Sequence, residues 1–186
     1  SGADIIAGRC VDVSSVPGVR GLDVHRCEER KELTPIDLRY LVGDFSVVTE
    51  GDVLVPFVHA CALVRKEVFR TVMYDASFFN ETCFREETDF YLRAVSAGFR
   101  IVFCPHTAAF HVRRLFPSGE GAGGCGPKDN VVSGLQNYWN NLRFTWKDRE
   151  AMRNIGVDPL RFLVRYSLSR LRSVGRRELS RSRLSV

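Results

Sequence analysis

Within four residues, Glu86-Glu87-Thr88-Asp89, this chain of 186 residues places three carboxylates. Carboxylates can take a proton from a hydroxyl, and neighbouring ones change one another's basicity. The run opens a segment with helical spacing, predicted as a helix over Glu86–Ala97 and closed by Gly98 as a left-handed cap. On a helical wheel, Phe90, Tyr91, Leu92, Ala94, Val95 and Ala97 form one broad face. Glu86, Asp89, Arg93 and Ser96 form the other, and Glu87 falls inside the apolar face. A first-turn carboxylate there is favoured as an anion by the helix N–H groups, while partial dehydration raises its basicity, which suits a general base. A first-turn acid that looks out past the helix end would leave the same signature. Asp89 and Arg93 stand at i, i+4 and are positioned to pair along the polar face.

Other chemistry-bearing residues are more scattered. His111 closes an extended segment, where a rim hydrogen bond is the ordinary role of a histidine and metal ligation the less ordinary one. Cys104, His106, His111 and Cys125 have spacings that match no common zinc pattern. The Gly-rich segment 117–128 fits the spacing G-x-G-x-x-G twice, yet it has no βαβ unit ahead of it and no Gly-Lys-Ser/Thr ending, so it reads as a loop. The six cysteines are dispersed without a CxxC pair, which fits a reducing compartment better than a disulfide scaffold.

These residues need elements to hold them. Residues 4–13 read as a strand, 35–41 as a short helix, and 53–64 as a buried strand leading into a short helix. Residues 99–104 read as a strand stopped by Pro105, with a second extended segment over 107–112. Helices are expected over 130–146 and 159–174. The alternation implies an α/β chain.

Between Phe57 and His111 the chain runs in order through Leu63-Val64-Arg65-Lys66-Glu67-Val68-Phe69, Tyr74-Asp75, Glu86-Glu87-Thr88-Asp89, Arg93, Ala97-Gly98-Phe99-Arg100-Ile101, and Pro105 to His111. This order resembles the second half of family 2 glycosyltransferases. The resemblance implies the distal part of a GT-A, or nucleotide-diphospho-sugar transferase, mixed-sheet domain over 1–116, a Gly-rich loop over 117–130, and a helical basic C-terminal tail over 131–186. It implies inverting transfer of a sugar from a nucleotide-sugar donor to a saccharide or lipid-linked acceptor. The second acid of the motif, Glu87, would be the base, where the family usually has the shorter Asp. Asp89 is its catalytic companion, Glu86 and Arg93 line or support the acceptor site, and His111 helps hold a divalent metal, Mn²⁺ or Mg²⁺. The family's D-x-D donor motif has no counterpart in this sequence, so a donor-binding half is expected upstream.

Charge narrows the partners. Residues 143–186 carry 12 Lys and Arg against 4 Asp and Glu, so the net charge of +5 arises in the tail. Few aromatics follow Tyr166 to stack on bases, so nucleic acid is not expected and an anionic membrane surface is the fitting polyanion. No run of about 20 apolar residues could span a bilayer, and the expected location is cytoplasmic, peripheral to a membrane where it meets one. A non-catalytic binding or assembly module acting through the basic tail is the competing reading.

Overall fold

The computed structural model describes residues 2–13, 30–75, 85–112 and 131–170. Its centre is a four-stranded mixed sheet in the order β4-β6-β1-β5. The β-branched and aromatic runs of β1 (Ile5–Val13) and β6 (Ile101–Val112) form the central parallel pair, with Ile5 opposite Ile101 and Val13 opposite Val112. The short strands β4 (Val53–Leu54) and β5 (Leu63–Val64) flank them antiparallel. A parallel pair needs a crossover, and here it carries α1 (Lys66–Thr71) and α2 (Glu86–Ser96). The α/β class expected from the alternation of elements is therefore present, with a mixed sheet.

Three local expectations are corrected. Pro105 does not stop the strand, because β6 runs through it: the register with β1 jumps between Ala7 and Arg9, where β6 carries extra residues. A bulge is where a strand tolerates a residue without an N–H. Gly8 sits at that jump, and a Cβ there would lie 2.6 Å from the Thr107 carbonyl oxygen. Residues 35–41 are not a helix but part of the hairpin of β2 (Ile36–Asp37) and β3 (Val42–Gly43). Asp37 Oδ1 accepts the Arg39 N–H at 2.9 Å, a local bond that competes with helix formation, and buried Leu41 completes the turn at φ 48°.

The apolar run 53–64 pairs only at its two ends. Between them Pro56 interrupts the donors, and the chain is tied instead through the His59 ring, whose Nδ1 accepts the Cys61 N–H at 3.2 Å. With that nitrogen an acceptor, Nε2 carries the proton and donates to the Gly8 carbonyl at 2.9 Å.

Helix α2 ends as its sequence implies, with Gly98 at φ 90° behind the last turn. It is buried on nearly every side, however: Phe90, Tyr91, Leu92 and Ala94 are enclosed, and so is Asp89 on the supposedly polar face. The reason is a second layer. Helix α3 (Val131–Lys147) leads through Asp148 into α4 (Arg149–Asn154), which packs on α2, and a further helix, α5, covers 159–170. Segment 117–128 and residues 171–174, expected as loop and helix, lie outside the described residues, as do Cys27, Cys83 and Cys125. Cys61 and Cys104 are free thiols.

Candidate functional site

The N-terminal turn of α2 begins after Arg85, a left-handed residue (φ 78°) whose side chain is buried. Its guanidinium donates to the Tyr40 carbonyl and to Asn141 Oδ1, each at 3.0 Å, and to the Leu41 carbonyl. The Phe144 and Phe162 rings lie 5.6 and 5.7 Å from it. Burial pushes its pKa down to about 10. Arg85 thus fixes the start of α2 between the β2–β3 turn and the outer helices.

From that anchored turn Glu87 projects half-buried. Burial, and then the charge of Glu86, raises its pKa above the ordinary carboxylate range. Two tyrosines share this environment. Tyr74 stacks on Phe90 with ring centroids 4.4 Å apart, and burial followed by the charges of Glu87 and Glu86 raises its pKa. Tyr91 is enclosed, its hydroxyl donates to the His59 carbonyl at 3.0 Å, and burial raises its pKa further. The result is a proton-accepting carboxylate with reduced hydration, edged by phenols and by the His59–Cys61 turn.

Asp89 is in a different situation. Its Oδ2 receives Arg93 Nε at 3.0 Å and Nη2 at 2.6 Å. Its Oδ1 lies 2.6 Å from Lys147 Nζ, a charge contact without good hydrogen-bond direction, and the same ammonium donates to Asp75 at 2.9 Å. Asp148, also buried, has its pKa pushed up to about 8, by dehydration first and then by the adjacent charge of Asp89. With both oxygens engaged and no exposure, Asp89 joins α2 to the α3–α4 junction and meets no solvent-borne hydroxyl.

Of the residues singled out in sequence, Glu86, Glu87, Asp89 and Arg93 thus share one helix but divide into two clusters. His111 lies near the end of β6, its backbone opposite Asp12, and its side chain is outside the description. Among the described residues no group of three or more His, Cys, Asp and Glu side chains could hold a metal ion. Tyr91, His59, Lys147 and Asp148 were missed. Tyr74-Asp75 carried a signal as a motif piece, whereas nothing local links Lys147 to Asp89.

A separate cavity of about 260 Å³ is lined by Leu38, Arg39, Val157, Asp158, Arg161 and Arg165 among others; it includes Phe162, which also packs on Arg85, but no residue of α2. No described helix is long and apolar enough to cross a membrane. No family model matches the chain, and no curated protein or solved structure matches it.

Proposed function

We propose that the chain is the acceptor-side part of a GT-A glycosyltransferase of family 2 type, which transfers a sugar from a nucleotide donor to a saccharide or lipid-linked acceptor with inversion. The observation that carries the reading is Glu87: a half-buried carboxylate of raised pKa in the first turn of α2, at the motif position where the resemblance calls for a base. In the reaction its carboxylate takes the proton of an acceptor hydroxyl while that oxygen bonds to the anomeric carbon. The bond from that carbon to the diphosphate oxygen breaks, and the nucleoside diphosphate leaves with the electron pair. Glu86 keeps Glu87 basic through its charge, and Asp89 with Arg93 holds the helix in place. A divalent metal would neutralise the leaving diphosphate.

The test is release of nucleoside diphosphate from uridine and guanosine diphosphate sugars, with saccharide or lipid-linked acceptors, by the intact protein. Glu87→Gln should lower turnover about 100-fold or more with donor affinity nearly unchanged. Turnover above about a tenth of wild type would remove Glu87 as the base.

One observation favours a second reading, a non-catalytic binding or assembly module. The described cavity is bordered by Arg39, Arg161 and Arg165 and stands apart from Glu87. Failure of every donor, with Glu87→Gln indistinguishable from wild type, would leave that module as the better account.

A further inference from the structure

Helix α3 is amphipathic in the reverse of the usual sense. Its inner face buries Asn140, Asn141, Phe144 and Thr145. Its outer face carries Leu135, Trp139 and Trp146, each more than half exposed, with Leu142 between them, at i, i+4, i+7 and i+11. A surface helix ordinarily turns charge outward, and large exposed apolar side chains grouped on one face mark a contact surface.

We infer that this face, together with the neighbouring surface of α5, docks on an anionic lipid bilayer. Tryptophan combines an apolar body with an N–H and settles at the headgroup level of membranes. Cations stand beside it: the Arg149 guanidinium lies 5.1 Å over the Trp146 ring. Helix α5 is fastened to α3 by the Tyr138 hydroxyl on Ser167 Oγ at 2.9 Å and by stacking of Tyr138 on Tyr166. It also exposes Leu160, Val164 and Leu168, with Arg161 and Arg165 beside them. Residues 131–170 hold seven Lys and Arg against three Asp and Glu, and with the internally paired Lys147 and the buried Asp148 set aside the cations still exceed the acids, six to two. That excess disfavours a second copy of the same face, which would bring like charges together, and favours anionic headgroups. The depth is interfacial, since no described helix can span a bilayer.

Trp139 and Trp146 are the only tryptophans of the chain, so its intrinsic emission reads this face alone. Titration of the full chain with phosphatidylserine-containing vesicles should shift the emission to the blue, and brominated acyl chains should quench it. Phosphatidylcholine vesicles should do so far less, and added salt should weaken the response. Replacing Arg161 and Arg165 together by Ala keeps both reporters and should weaken binding about 25-fold, roughly fivefold for each charge near the surface. An unshifted emission would overturn the inference even if the protein pelleted with vesicles, because another segment would then make the contact. So would a blue shift that rises with protein concentration without lipid, accompanied by a doubled mass in sedimentation, since the occupant would then be a second copy. Unchanged affinity of the double arginine variant would equally overturn it. Glu87→Gln should bind vesicles as wild type does, which separates this surface from the transferase reading.

Discussion

The carboxylate of Asp89 and the ammonium of Lys147 meet at 2.6 Å, although one lies on the crossover helix and the other at the last residue of α3. Lys147 also reaches Asp75, so one cation joins the segment before α2, α2 itself and the outer helices. The contact explains how the turn bearing Glu87 is held: Arg85 fixes it at the front and Asp89 fixes the helix behind it.

Lys147→Met should therefore destabilise the protein by about 3 kcal/mol, because it removes one partner of an enclosed carboxylate. Asp89→Asn should cost a similar amount by leaving Lys147 and Arg93 with a neutral partner. Urea unfolding of both single variants and the double variant should reveal a coupling of at least about 1 kcal/mol. Additive losses would mean that the two side chains do not act on each other.

Stability should also fall as pH rises. Burial first, and then the adjacent charge of Asp89, push the folded-state pKa of Asp148 up to about 8 from its ordinary 3.8. The native state therefore holds this proton more tightly than the unfolded chain does. Its contribution is complete below about pH 4 and is lost as pH rises through about 8. Asp148→Asn should flatten that slope, with the melting midpoint between pH 6 and 9 falling less than in wild type by several degrees, on the order of 1 kcal/mol or more. A wild-type midpoint that rises across that interval would contradict the assignment.

The strand pair and α2 were legible because each carries its signal locally. Ile and Val mark β1, and Gly98 marks the end of α2 with the left-handed φ that its position requires. The failures came where a distant partner or a single side-chain bond decides. Asp37 turned a helical pattern into a hairpin by capturing the Arg39 N–H, and α4 turned the polar face of α2 inward. Glu87 stood out in sequence because an acid among apolar positions is unusual. Asp89 looked like its equal, and only the packing of the α3–α4 junction separates the two.

Gly8→Ala tests the bulge. A Cβ at that position would sit 2.6 Å from the Thr107 carbonyl oxygen and 2.9 Å from its carbon. Backbone cannot swing aside as a flexible side chain can, so the central strands must separate locally, at a cost of about 2 kcal/mol. The Gly8 carbonyl also accepts from His59, so the 59–61 turn beside Tyr91 should loosen, seen as faster amide exchange at Cys61. A variant as stable as wild type would show that β6 is not held so close.

The pH dependence of turnover bears most directly on Glu87. A general base must be ionised to act, so the rate should rise with pH as Glu87 loses its proton. Its pKa is raised from the ordinary 4.5 by dehydration first and by the Glu86 charge second, and the acid limb of kcat should accordingly have its midpoint above that value. The two causes can be separated. Glu86→Gln removes only the second, so the midpoint should move toward 4.5 without reaching it, while turnover at high pH stays within about threefold of wild type. Tyr74→Phe keeps the ring stacked on Phe90 and should leave the limb in place. In Glu87→Gln the limb should vanish from the residual rate, because the titrating group has gone. A limb that persists in Glu87→Gln would assign the titration to another group, and the base would then have to be sought outside the first turn of α2.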